Sequence, residues 1–172
     1  MACVLTTGFS LDCKDTVGGI KNIWIVESSA KGTQTKDASG NITAWTLSAT
    51  KNFFKYELRK ATSSMEVTVQ PNQANGTTFY EQKLDLKLGK MEVYKRNEIK
   101  LLAQNLLLII VQDRNGTFWL LGNDNGCDLS SGKGSSGTAM GDFNGWDLSF
   151  VAMEGDMPCI VSAGVATSLG IS

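Results

Sequence analysis

Apolar and polar residues alternate with a period of two along most of this chain. That pattern commits it to strands before anything else is considered. The longest stretch runs from Thr77 to Leu88, where Leu84, Leu86 and Leu88 share one face and Lys83, Asp85 and Lys87 share the other. A strand of this kind buries one side and turns the other to solvent or to a partner. The alternation recurs at Phe53–Arg59, with Phe54, Tyr56 and Leu58 opposite Lys55, Glu57 and Arg59, and again at Met65, Val67 and Val69 around Glu66 and Thr68. Ile20–Val26 (IKNIWIV) and Leu106–Gln112 read as buried strands, the first entered through Val17-Gly18-Gly19. Gly145–Glu154 places Trp146, Leu148 and Phe150 on one face.

Turn residues punctuate these runs. Ser28–Asn41 is polar and ends in Ala38-Ser39-Gly40-Asn41, which predicts a hairpin or a long exposed loop before a short strand at Ile42–Leu47. Pro71 lacks a backbone donor and is expected to stop the preceding strand, leaving Pro71–Gly76 as a loop. Asp113-Arg114-Asn115-Gly116 predicts a tight hairpin turn into Thr117–Leu121. Between Gly89 and this hairpin the period changes. Met91–Ala103 carries Tyr94, Glu98, Leu101 and Leu102 at helical spacing, with Met91 and Ile99 extending the face. Glycine is dense from Gly122 to Gly145, so Ser130–Thr138 reads as a flexible loop. Pro158 closes the ordered pattern, and the apolar tail Ile160–Ser172 should pack against something. Strands that follow one another without helical crossovers make antiparallel sheets. The expected fold is mainly β (α+β): an antiparallel β-sandwich or partial barrel, about seven to nine strands, with one flanking α-helix, in a single domain over 1–172.

Composition narrows the function. Of 172 residues, 42% are hydrophobic, enough for a core without staples. Only 19% are charged and the formal net charge is −1, without the basic stripe of a nucleic-acid reader. The longest apolar run, Leu106–Val111, is too short for a membrane helix, and the N-terminus lacks the basic start and apolar stretch of a signal peptide. The expectation is therefore no membrane and a protein that stays in the cytoplasm where it is made. The cysteines, at 3, 13, 127 and 159, have no Cys-x-x-Cys pair, and read as buried or semi-buried free thiols.

The chain has no histidine, which removes the common triads and Cys–His pairs. The acidic pairs Asp12 with Asp15, and Asp124 with Asp128, lie in Gly- and Asn-rich segments where Asx turns are the plainer reading. Gly122-Asn123-Asp124-Asn125-Gly126-Cys127-Asp128 offers oxygen ligands but not the order of an EF-hand loop. Gly132-Lys133-Gly134-Ser135-Ser136 lacks the spacing and following helix of a phosphate-binding loop. The sequence thus nominates no catalytic, cofactor-binding or metal-ligating residue and reads as a structural building block, not an enzyme. Trp24, Trp45, Trp119 and Trp146 would be the aromatics of a ligand-binding β-sandwich, but all four sit in strand patterns that favour core packing.

Several segments carry a resemblance. They are Leu5-Thr6-Thr7-Gly8 with Cys13-Lys14-Asp15-Thr16-Val17-Gly18-Gly19-Ile20-Lys21, Asn75-Gly76-Thr77-Thr78-Phe79-Tyr80-Glu81-Gln82 and Glu98-Ile99-Lys100-Leu101-Leu102-Ala103. Asp113-Arg114-Asn115-Gly116-Thr117-Phe118 and Gly137-Thr138-Ala139-Met140-Gly141-Asp142 belong with them. Together they resemble structural virion proteins of tailed bacteriophages, and the order of elements is similar to that of tail tube proteins. The resemblance implies a subunit assembled in the host cytoplasm into the virion tail. Six copies would close a ring whose inner sheets merge into a barrel. Rings would stack into a tube beside a sheath or other tail proteins, with DNA passing through the lumen at ejection without specific binding. It also implies inter-subunit contacts from a long loop at 28–41, from 130–141 and from extended N- and C-terminal segments. A head-decoration, neck or tail-terminator protein is the alternative within the same group.

Overall fold

The computed structural model describes residues 7–11, 13–48 and 51–171. Eleven strands appear among them. They are β1 (Ile20–Glu27), β2 (Thr33–Lys36), β3 (Ile42–Thr46), β4 (Phe54–Glu57), β5 (Ser64–Asn72), β6 (Thr77–Gly89), β7 (Leu107–Asp113), β8 (Phe118–Leu121), β9 (Asp128–Ser135), β10 (Gly145–Glu154) and β11 (Cys159–Val161). Helix α1 (Val93–Gln104) joins β6 to β7, and a short α2 (Ala163–Ser168) follows β11. Seven strands form one sheet in the order β2-β3-β11-β8-β7-β1-β4, and four form a second in the order β5-β6-β10-β9. Pairing is antiparallel throughout except between β11 and β3, which meet in parallel at Val161 and Ile42. The mainly β, two-sheet architecture with one principal helix is the expected one, and no barrel closes.

Two cores explain which runs alternate and which do not. Between the sheets, Ile23 and Ile25 of β1 and Ile109 and Val111 of β7 meet Leu84 and Leu86 of β6 and Leu148 and Phe150 of β10. On the far side of the large sheet, Trp24 and Val26 of β1 and Leu108 and Ile110 of β7 pack with Ile42, Trp45, Val161, Val165, Ala166 and Ile171. β1 and β7 are thus covered on both faces, and their sequences lose the polar alternation that β6 and β10 keep. The apolar tail packs as expected, but Pro158 does not end the order. β11 and α2 follow it and carry the second core's Val161, Val165 and Ala166.

Other expectations change in detail. The 28–41 segment is the hairpin of the two forms foreseen. Thr33–Lys36 pairs with Ile42–Thr46, and the Asp37 carboxylate accepts the N–H groups of Ser39 and Asn41 at 2.9 and 2.8 Å. Pro71 lies inside β5 opposite Thr78, tolerated because β5 is an edge strand with one side free of ladder bonds. The Asp113–Gly116 turn forms, with its positive φ at Gly116 and the Asp113 carboxylate accepting from the N–H groups of Asn115 and Thr117. The clearest correction concerns Ser130–Thr138: most of it is strand β9, paired along β10 from Asp128 to Ser135. Its glycines face bulk. A Cβ on Gly134 would come within 2.9 Å of the Trp146 ring, and one on Gly132 within 3.3 Å of Leu148. α1 buries only part of its expected stripe. Leu102 is buried and Ile99 packs on the core, whereas Tyr94, Leu101 and Met91 stay exposed. Phe54, expected inward beside Tyr56 and Leu58, is exposed as well.

Candidate assembly surface

The outer face of the four-stranded sheet is built by register. Residues directly opposite one another share a face, so Glu66, Lys83 and Val151 stand side by side, as do Lys87, Asp147 and Lys133. With Glu81 and Asp85, and with Asp128 opposite Val151, the outward face holds five carboxylates and three lysines, while Gln82, Leu84, Leu86, Leu148 and Phe150 point the other way and are buried. Lys83 reaches Asp85 at 3.0 Å and Lys87 reaches Asp147 at 3.8 Å. Asp85 also accepts the Ser149 hydroxyl at 2.6 Å. Burial works against ionisation of Asp85, yet that hydroxyl and the Lys83 ammonium hold its carboxyl below the ordinary value. The face is polar with an excess of negative charge, and Lys83 and Lys87 are already engaged in ion pairs. Both outer strands, β5 and β9, have one edge without a strand partner among the described residues. Neither is short or blunted by inward charge, although β5 carries Pro71 and the β9 pairing a bulge between Ser149 and Phe150, two other devices that guard an exposed edge.

A second feature lies between the sheets at the β4 side. A groove of about 950 Å³ runs under α1, floored by Ile25, Tyr56, Leu88, Ile99, Leu102 and Trp146. Tyr56 donates to the Glu98 carboxylate across it at 2.9 Å. Burial first, and then that carboxylate, push the Tyr56 hydroxyl far above its ordinary value. The Trp146 Nε1 is buried without a hydrogen-bond partner.

The residues weighed for chemistry are scattered or otherwise occupied. Asp12 lies outside the described residues, and Asp15 is exposed. In the 122–126 loop the backbone N–H groups of Asp124 and Asn125 point at the buried Glu154 carboxylate, at 3.0 and 2.9 Å from Oε1. The Gly122 N–H donates to buried Gln82 at 3.1 Å. A loop that turns amide protons inward onto a carboxylate offers no cradle for a cation, and Asp124 itself pairs with Lys31 at 3.1 Å. Among the described residues no group of His, Cys, Asp or Glu is placed to hold a metal ion. Gly132–Ser135 are strand residues, with no helix after them to receive a phosphate. Trp24 and Trp45 are buried; Trp45 Nε1 donates to the Lys31 carbonyl and Trp119 Nε1 to Asp113 at 3.3 Å. Cys127 and Cys159 are buried, but Cys13 is exposed, contrary to expectation, and Cys3 lies outside the described residues. Burial above all, then the neighbouring Glu154 and Asp128, raises the Cys127 thiol well above its ordinary value. The Glu154 cradle itself went unforeseen: a lone Glu near the end of an amphipathic strand carries no local signal that a loop about thirty residues earlier will fold onto it.

Comparison with models of known families, with curated proteins and with solved structures gives no match to this chain. No helix among the described residues is long and apolar enough to cross a membrane.

Proposed function

We propose that this chain is a virion structural protein of a tailed bacteriophage, the tail tube subunit that forms stacked hexameric rings around a DNA channel. The observation that carries the reading is the four-stranded sheet. It has an apolar face on the core, a polar face outward, and two open edges of similar length, Ser64–Asn72 and Asp128–Ser135. Pairing the β5 edge of one copy with the β9 edge of the next would remove both edges and, on ring closure, give a continuous barrel. The polar face would then line the lumen. Five carboxylates against three lysines, with Lys83 and Lys87 already paired, leave little to grip phosphate, and gripping would slow passage because each neutralised phosphate adds affinity. Sequence resemblance supplies the phage context. Electron microscopy of the purified protein and of virions tests the proposal: stacked rings with a central channel are expected, and a single particle seated on the capsid surface would defeat it.

A further inference from the structure

Four Asn-Gly pairs occur in the chain, at 75–76, 115–116, 125–126 and 144–145. Such a pair carries a reaction of its own. The glycine amide nitrogen attacks the asparagine side-chain carbonyl carbon, because no side chain stands beside that nitrogen to block the approach. The attack needs two freedoms. The asparagine amide must swing toward the following nitrogen, and the glycine N–H must give up any hydrogen bond it makes. The fold withholds these freedoms from three of the pairs and leaves them to one.

Asn115 is held at both side-chain polar atoms. Its oxygen accepts the Val17 N–H at 2.9 Å, its nitrogen donates to the Val17 carbonyl at 3.1 Å, and the Gly116 N–H donates to the Asp113 carbonyl at 3.3 Å. The Asn125 side chain donates to the Met153 carbonyl at 2.6 Å, and the N–H of buried Gly126 donates to the Gly122 carbonyl at 3.0 Å. The Asn144 side chain accepts the Met91 N–H at 3.1 Å, and Gly145 is buried at the start of β10, opposite Gly89 and Ser135. Asn75 differs. Neither its side-chain amide nor the Gly76 N–H has a hydrogen-bond partner among the described residues, and both residues are exposed. A single bond, from the Asn75 N–H to the Asn72 side chain at 3.2 Å, shapes the turn without holding the amide. Backbone twist does not separate the pairs, since Gly76 and Gly116 both have positive φ, at +63° and +90°. The Asn75 turn also lies beyond the last rung between β6 and β10, at Tyr80 and Glu154. Only a two-stranded ribbon supports it there, and such a ribbon is marginal on its own.

We propose that Asn75 is a modification site at which the chain deamidates itself, through a cyclic imide with Gly76, to isoaspartate and aspartate. The Gly76 nitrogen bonds to the Asn75 side-chain carbonyl carbon and loses its proton to water. The bond from that carbon to the side-chain nitrogen breaks, and the nitrogen leaves as ammonia with a proton returned from water. A second water then adds to one of the two ring carbonyls and breaks its bond to the ring nitrogen. Opening at the main-chain carbonyl gives isoaspartate, and opening at the side-chain carbonyl gives aspartate. Water is the only co-reactant. Either product adds one carboxylate to a chain of formal net charge −1. Isoaspartate also routes the main chain through the side-chain carbon, at the tip of the β5–β6 hairpin. The reaction belongs to the turn itself and does not rest on the tube reading.

The test ages the full-length protein for days in warm, mildly alkaline buffer, beside a sample in denaturant. Peptide mapping by mass spectrometry follows all four pairs, and enzymatic methylation of isoaspartyl groups measures the product. In the folded protein Asn75 is expected to convert at least about tenfold faster than Asn115, Asn125 or Asn144, because tethered pairs react only from locally opened states. In denaturant the four rates should draw together, since each pair then has the same freedom. Ion exchange of the aged native protein should separate a more acidic species that N75S does not form. That change removes an exposed side chain without a partner, and circular dichroism checks that the variant folds. The proposal is overturned if another pair converts as fast as Asn75 in the folded protein, if Asn75 stays intact while the denatured chain converts, or if the acidic species persists in N75S.

Discussion

Glu154 offers a sharp test of how this fold is held. Its side chain is 3% exposed, and one carboxylate oxygen accepts the N–H groups of both Asp124 and Asn125. Among the described residues no other strand residue ties the 122–126 loop with a charged group, and that loop connects β8 of one sheet to β9 of the other. Glu154→Ala would remove two charge-assisted, part-buried bonds and leave both donors without their acceptor. At about 1–3 kcal/mol for each donor left unsatisfied, the cost is about 3 kcal/mol. For a chain of this size that lowers the melting temperature by about 6–12 °C. Glu154→Gln keeps an acceptor oxygen in the same place and loses only the charge, so it should cost about a third as much. Urea denaturation of the three proteins, with melting followed by calorimetry, decides the point. An alanine variant as stable as the wild type, or a glutamine variant as damaging as alanine, would refute the idea that these two bonds hold the loop.

Other outcomes follow from the same structure. Gly122 has φ +68° and a Cβ there would lie 2.6 Å from the Cys127 nitrogen, so Gly122→Ala should destabilise by more than about 1 kcal/mol in the same assay. Phe150→Ala should cost about 3–5 kcal/mol, because Phe150 is 1% exposed in the core between the sheets; a loss under 1 kcal/mol would mean the core collapses onto the vacancy. Asp142 accepts the N–H groups of Ala139 and Thr138, both at 2.8 Å, and these bonds hold its carboxyl below the ordinary 3.8. A depressed folded-state value makes the carboxylate's contribution full above 3.8 and lost as pH falls through the lower folded value. Carboxyl NMR should therefore show Asp142 titrating below 3.8 and the Thr138 and Ala139 amides shifting with it. Thiol labelling with mass-spectrometric mapping should modify Cys13 at once and leave Cys127 and Cys159 unmodified until unfolding.

Much of the fold was legible because burial on one face writes itself as alternation. β6, β10 and α1 fall where the periods place them, and the doubly covered β1 and β7 read as apolar runs. The errors have a common cause: a local signal was overridden by a partner distant in sequence. Pro71 stops a strand only if both its edges are paired, and β5 has just one paired edge. The glycines of β9 look like a linker until Trp146 and Leu148 are seen filling the space above them. The exposure of Phe54, Tyr94 and Leu101 was hidden for the opposite reason, since apolar spacing does not say whether the facing partner belongs to the same chain. The outward face of the small sheet was legible as the far side of Thr77–Leu88. The groove was not, because it is made by the separation of α1 from β1 and β4 and by no single segment.

The two glycines of β9 carry a last consequence. Sliding that strand by one residue against β10 would push Ser131 or Lys133 under the Trp146 and Leu148 side chains, where an added Cβ meets the Trp146 ring at 2.9 Å and crowds Leu148 at 3.3 Å. The pair therefore acts as a notch that favours one alignment. An edge strand is ordinarily free to slip, and whatever adds to it inherits the error. Here the outermost strand of the small sheet is indexed by its inner neighbour, so a strand joining from outside would meet a ruled edge with its steps already fixed.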